Sequence, residues 1–296
     1  MGPPAKPFCL FSLIFLILFD ILAESAPDYS ALVFKGCSKQ DLADPTGAYS
    51  QARSTVLGTL VSQSTKVKFY KANAGGGQTA FSGLFQCRGD LSNADCYSCV
   101  SNLPTLLDKL CGQSKAAARI QLYGCSMHYE VAGFAQVSGM EMLYKACGSK
   151  NVGGSGFEER RDTALSALES GVGGGGNGFY ATTFESVYAV AQCEGDLGSA
   201  DCGECVKSAV QRSQVECGSA VSGQMYLNKC FIGYNYYRNG VPKNPSSSSS
   251  SSSYSSPSGQ NTGKTVAIIL GGAAAVALVV VCLLFARGLL KKRDDF

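Results

Sequence analysis

The residue types that could do chemistry here are cysteines, one histidine and a recurring pair of aspartates. Cys96 and Cys99 stand three positions apart, as do Cys202 and Cys205. That spacing suits half of a zinc site or a redox dithiol. His128 is the only histidine of the chain; beside a free thiolate it would complete a Cys–His nucleophile. Asp90 and Asp95 recur as Asp196 and Asp201, and paired carboxylates can hydrolyse glycosides. Gly263-Lys264-Thr265 imitates the end of a phosphate-binding loop.

Cysteine arithmetic weakens the first two readings. Of 14 cysteines, Cys9 and Cys282 lie in apolar terminal segments. The other twelve form two sets: Cys37, Cys87, Cys96, Cys99, Cys111, Cys125, and Cys147, Cys193, Cys202, Cys205, Cys217, Cys230. The steps are 50, 9, 3, 12, 14 in the first set and 46, 9, 3, 12, 13 in the second. Flanking residues repeat in register: Gln86-Cys87-x-Gly89-Asp90-Leu91 matches Gln192-Cys193-x-Gly195-Asp196-Leu197. This is an internal repeat one domain long. An even cysteine count in an exported chain argues for disulfides over zinc or a redox dithiol. Six cysteines allow 15 pairings, and spacing does not choose among them.

If all twelve pair, His128 has no thiolate to activate and reads as a strand histidine. Each aspartate pair abuts a glycine turn and a helix start, where carboxylates satisfy free N–H groups, so these four read as caps. The phosphate-loop imitation fails because Ser258 takes the first glycine's place and no strand precedes it. The expectation is therefore no enzyme, no catalytic residue, no metal and no cofactor.

Two apolar segments set the topology. Residues 1–25 carry Lys6, an apolar run from Phe8 to Leu22 and a small-residue cleavage site around Ala23–Ala26. That is a secretory signal peptide, too short to span a bilayer. Thr265 to Ala286 contains no charge, and as a helix its 22 residues would rise ~33 Å, enough to cross. Arg287, Lys291, Lys292 and Arg293 follow, which keeps the tail 287–296 on the cytoplasmic side. Cys282 is a candidate for acylation. Gly271 and Ala275 give a weak helix-pairing signal. Residues 241–263, with serine at every position from Ser246 to Ser253, read as a flexible stalk. Residues 27–263 carry 19 Lys+Arg against 18 Asp+Glu, so nucleic-acid binding has no electrostatic support.

The elements that must position these residues follow from periodicity. Ser50 to Val67 places Val56, Leu57, Leu60 and Val61 at helical spacing, and Phe157 to Val172 repeats it with Ala164, Leu165 and Leu168. A second helix follows each Gly-Asp-Leu turn, capped by Ser92 or Asn93 and by Ser199, and Pro104 leaves open whether the first of them continues to Leu110. Ile120 to Val131, Met225 to Arg238, Phe81 to Cys87 and Tyr180 to Cys193 read as extended. The fold class is α+β: two tandem disulfide-bonded modules, 31–135 and 141–240, each an antiparallel sheet with helices on one face, plus one transmembrane helix.

Cys87-x8-Cys96-x2-Cys99 and Cys193-x8-Cys202-x2-Cys205 resemble the plant cysteine-rich secretory repeat, also called the stress-antifungal or ginkbilobin-homologous domain. Two repeats after a signal peptide, with one span and a short tail, are similar to the plasmodesmata-located proteins. The resemblance implies two helices on a five-stranded antiparallel sheet. It also implies the bridges Cys37–Cys111, Cys87–Cys96, Cys99–Cys125, Cys147–Cys217, Cys193–Cys202 and Cys205–Cys230. It implies residence at plasmodesmata, restriction of cell-to-cell movement, callose deposition and a part in defence. The partners it suggests are the membrane, a cell-wall glycan, another copy or a receptor-like kinase, and a viral movement protein. A single-domain relative binds mannose through an Asn, Arg and Glu set, which this sequence does not locate. The rival reading is an apoplastic carbohydrate-binding co-receptor, with Tyr129, Tyr234, Tyr236 and Tyr237 as stacking candidates.

Overall fold

A computed structural model describes residues 28–149, 156–174 and 178–242. The signal peptide, most of the stalk, the membrane span and the tail lie outside them. Among the described residues no helix is long and apolar enough to cross a membrane.

Each repeat is one antiparallel five-stranded sheet. In the first, β1 (Leu32–Cys37), β2 (Phe69–Ala74), β3 (Phe81–Cys87), β4 (Ala117–Leu122) and β5 (Cys125–Val131) take the order β1-β4-β5-β3-β2. In the second, β6 (Met142–Cys147), β7 (Phe179–Phe184), β8 (Val187–Cys193), β9 (Ser222–Leu227) and β10 (Cys230–Tyr236) repeat it as β6-β9-β10-β8-β7. Of the four expected extended runs, Phe81–Cys87 is the single strand β3 and the other three are hairpins. The run from Ile120 to Val131 is cut at Tyr123-Gly124, that from Met225 at Asn228-Lys229, and that from Tyr180 at Glu185-Ser186. Apolar patterning alone does not show a two-residue turn that contains no paired turn formers.

Helices α1 (Ala48–Gln63), α2 (Asn93–Ser101) and α3 (Leu103–Cys111) cover one face of the first sheet; α4 (Phe157–Val172) and α5 (Ser199–Cys217) cover the second. Helix α1 ends four residues earlier than its periodicity suggests. Its first turn is held from upstream, where the Asp44 carboxylate accepts from the backbone N–H of Tyr49 and Ser50 at 3.1 and 2.8 Å. Val56 and Leu60 are fully buried against β3, each worth roughly 1.5–3 kcal/mol.

The second helix differs between repeats for a local reason. Ser92 caps α2, its hydroxyl accepting from Asp95 N–H at 3.1 Å. Pro104 cannot donate to a preceding carbonyl, so the helix breaks at Asn102 and restarts with proline in its first turn. The second repeat has no proline there and runs unbroken for 19 residues. Its N-cap is Gly198, without a side-chain cap, and not Ser199, which is already the first helical residue.

The twelve cysteines form six disulfides: Cys37–Cys111, Cys87–Cys96, Cys99–Cys125, Cys147–Cys217, Cys193–Cys202 and Cys205–Cys230. Two of the three in each repeat tie a sheet strand to the second helix from inside the core. The third ties the edge strand β1 or β6 to that helix layer's C-terminal end.

Candidate functional site

The chemistry-like residues do not converge. Every cysteine among the described residues is in a disulfide, so neither Cys-x-x-Cys pair offers thiolates, and His128 has no sulfur nucleophile to activate among them. Among the described residues no group of His, Cys, Asp or Glu could hold a metal ion. The four aspartates take three different jobs, which corrects their common reading as caps. Asp95 forms a reciprocal cap with Ser92. Asp90 accepts two bonds from the Arg88 guanidinium, at 3.1 and 2.9 Å. Asp196 pairs with Lys71 of the other repeat and with Lys229. Asp201 alone sits in a first helical turn without a capping bond of its own.

Tyr129 and Tyr234 are 1% exposed, packed beside the guanidiniums of Arg53 and Arg161. Neither can stack on a sugar. Tyr236 packs edge-on against Phe157. The alternation of β5 decides this outcome: Cys125, Met127, Tyr129 and Val131 face the core, and Ser126, His128 and Glu130 face away.

That outward face is the informative one, because the two sheets meet across it within one compact unit. The junction is built from equivalent residues. Gln192 accepts from Gly89 N–H at 3.1 Å and donates to the Cys87 carbonyl at 3.0 Å. Gln86 accepts reciprocally from Gly195 N–H at 2.9 Å. The Phe179 ring lies over Gly89, and the Phe69 ring over Gly195, so close that a Cβ would overlap either ring. These glycines are needed for close approach; their φ angles are not positive. Phe34 of β1 stacks on Tyr144 of β6 at 5.4 Å, closing the seam with aromatic surface.

Beside the seam lies a cleft of about 480 Å³ on the outward face of the first sheet, a size usual for small-molecule sites. Its floor holds Leu84, Arg119, His128 and Glu130. The turn residues Asn228 and Lys229 of the second repeat close one side, and Phe134 to Val137 pass along another. Arg119 and His128 are register partners on β4 and β5. Arg119 Nη1 and Nη2 donate to the backbone carbonyl and Oδ1 of Asn228 at 3.2 and 2.9 Å. Burial lowers the Arg119 pKa, against the pull of Glu194 and Glu130. Burial also holds the His128 imidazole well below its ordinary value, helped by Arg119, Lys229 and Lys71. Asp196 is pushed up by its partial burial, but Lys71 and Lys229 outweigh that and keep it ionised below the usual range. Burial raises the Glu194 carboxyl against Lys229.

The second repeat does not reproduce the cleft's chemistry. Register through the shared cysteines puts Gln224 where the first repeat has Arg119, Gly233 where it has His128, and Asn235 where it has Glu130. Single-residue reading missed Arg119, Glu130, Lys71 and Lys229. The signal for Arg119 and Glu130 was the charge difference between otherwise matching repeat positions. Lys71 and Lys229 had no such signal, because they reach the cleft by the packing of one repeat on the other.

A depressed histidine makes stability depend on pH with a definite sign. Unfolded His128 takes up a proton near pH ~6.5, whereas folded His128 resists it. Its contribution is complete above pH ~6.5 and is lost as pH falls toward the folded pKa. The charged groups facing it are Arg119, Lys71, Lys229 and Glu130. His128→Gln is expected to flatten the fall in melting temperature between pH 7 and pH 5. Equal slopes for both proteins would show that His128 titrates normally.

A disulfide-bonded pair of α+β modules, joined through their outward sheet faces, defines a class: tandem cysteine-rich repeat proteins. The model of the salt stress response/antifungal family matches residues 36–132 and 146–237. Plasmodesmata-located protein 2 of Arabidopsis thaliana is 57% identical over 292 residues, covering 96% of this chain and 94% of the relative. Plasmodesmata-located protein 1 of the same plant is 45% identical, covering 95% and 94%. The crystal structure of the tandem DUF26 ectodomain of the Arabidopsis thaliana cysteine-rich receptor-like protein PDLP8 superposes with a TM-score of 0.64 at 32% identity, covering 70% of this chain and 98% of that one. The chain belongs to the plasmodesmata-located protein family.

Proposed function

We propose that the protein is a single-pass regulator of cell-to-cell trafficking at plasmodesmata, with its two repeats in the apoplast and its tail in the cytoplasm. The observation that carries this is identity of 57% along nearly the whole chain, beyond the repeats, to a relative named for that location. The uncharged segment 265–286 and the basic residues after it support the topology. Two modules locked face to face form a stiff head on a serine-rich stalk, suited to holding a wall or membrane partner at a fixed place. Callose deposition and defence signalling are the outputs we assign to it. Another copy, a receptor-like kinase and a viral movement protein are the protein partners we assign.

Imaging of the full chain tagged after Phe296 in plant epidermis, with callose stained, tests this. Wall-crossing puncta that coincide with callose, and slower spread of a mobile tracer on overexpression, are the expected result. Even plasma-membrane signal with unchanged tracer spread would overturn it.

A second reading, a carbohydrate-binding co-receptor, is favoured by the cleft beside the seam. Amides, a carboxylate, cations and the Phe34 and Phe134 rings line it together, the mixture that holds sugar hydroxyls and ring faces.

A further inference from the structure

His128 stands where the two repeats meet, among cations drawn from both. Arg119 of β4 is its register partner. Lys71 of β2 and Lys229 of the β9–β10 turn face the same space. Lys229 belongs to the second repeat, and Arg119 is aimed by that repeat's Asn228, to whose two oxygens it donates at 3.2 and 2.9 Å. Neither β3 nor the segment from Phe134 to Val137 brings a charge to this space. The junction's other charges already have partners. Lys71 and Lys229 pair with Asp196 and Glu194, and Arg88 pairs with Asp90. Arg119 lies in the field of Glu194 and Glu130. Glu130 receives a bond from Gln136 at 2.9 Å, and Lys35 at the cleft edge donates to the Leu110 carbonyl. An imidazolium here would be surplus positive charge, and the charges that act on it most are cations.

We propose that this junction is an acid-sensitive hinge: protonation of His128 lifts the second repeat's turn off the first sheet and parts the two repeats, each staying folded on its own disulfides. The sign comes from linkage. With the turn in place, burial and the three cations oppose the proton. With the turn lifted, Lys229 is removed, Arg119 is released from Asn228 and water reaches the ring, so His128 returns toward its ordinary value of ~6.5. The form that binds the proton more tightly gains as pH falls, so acid favours parting from pH ~6.5 down to the value of the closed form. Asp196, which loses Lys71 on parting, acts with His128 but only in the carboxylate range. Glu194 acts the other way: burial raises its carboxyl against Lys229, so through it acid favours the closed form. The second repeat has Gly233 at the place of His128, so each chain carries the device once, on the side of the first repeat.

This inference stands apart from what the protein binds. Hydrogen exchange on the full chain in detergent tests it, because exchange detects parting even where the open form is rare. The reporters are the Gly89 and Gly195 N–H groups, which donate across the junction to Gln192 and Gln86 at 3.1 and 2.9 Å. After correction for intrinsic rates, their protection should fall about tenfold more between pH 7.5 and pH 5.5 in the natural protein than in His128→Gln. Glu194 is common to both proteins, so its opposing effect cancels in that comparison. The central strands β5 and β10 should stay better protected than the junction at both pH values. The ring resonance of His128, the only histidine, should titrate well below its ordinary value. Equal pH responses in the two proteins, or junction amides that exchange only together with β5 and β10, would overturn the hinge. A ring resonance that titrates near pH ~6.5 in the folded chain would overturn it without any variant.

Discussion

Replacing Cys37 and Cys111 together by alanine is expected to destabilise the first repeat by about 4 kcal/mol. The bridge closes a 74-residue separation, and the chain-entropy cost of an open loop grows with its length. Both cysteines are only partly buried, so less packing is lost with them than at a core bridge. The effect therefore isolates loop closure, unlike the Cys87–Cys96 bridge, whose sulfurs are fully buried. Domains of this size are stable by only roughly 5–15 kcal/mol, so the loss is a large fraction of the total. Hydrogen exchange is the measurement. Protection should drop in β1, β4 and β5 and persist in β6, β9 and β10. A loss below ~1 kcal/mol would mean that β1 is held by its ladder with β4, and that the bridge is redundant.

The second large effect concerns the seam. Gly89→Ala with Gly195→Ala should separate the repeats without unfolding either one. At Gly195 a methyl would lie 2.6 Å from the Phe69 ring, and at Gly89 it would overlap both the ring and the Cβ of Phe179. Cβ contacts cannot be relieved by rotating the ring, so overpacking costs about 1–3 kcal/mol at each site. The two glutamine–glycine hydrogen bonds are lost as the sheets part, each worth roughly 1 kcal/mol. Buried Gln192 then needs water, which favours further opening. Small-angle scattering should show a larger radius of gyration, and calorimetry should resolve two transitions in place of one. An unchanged radius would show that the Phe34–Tyr144 stack and the Lys71–Asp196 pair hold the repeats together unaided.

The cleft and the seam are thus one device. The first repeat supplies Arg119, His128 and Glu130 from the outward face of its sheet, and the second supplies Asn228 and Lys229 from a hairpin turn. The second repeat is the buttress: Tyr188, Val190 and Tyr226 on its outward face are buried, where the first repeat keeps Ser82 and Gln121 partly exposed.

The cysteine steps and the repeated text between them were enough to establish two modules and their period. Cysteine pattern is readable in this way because each bridge constrains a local spacing that both copies must keep. The helices were legible too where apolar residues recur every three to four positions, as in Phe157–Val172. Hairpin turns were not, because Tyr123-Gly124 and Asn228-Lys229 interrupt continuous β-forming text without an obvious turn signature. Nor could a sequence tell Tyr129 from His128 as surface or core, since a one-residue change of register exchanges the two faces of a strand. Asp196 read as a cap because its sequence neighbours are a turn and a helix start. Its actual partner, Lys71, lies 125 residues away in the other repeat. The charged cleft exists only because two sheets meet at a particular angle and place a turn of one over the floor of the other. Contacts between distant segments carry no periodicity, so only the tertiary structure decided them.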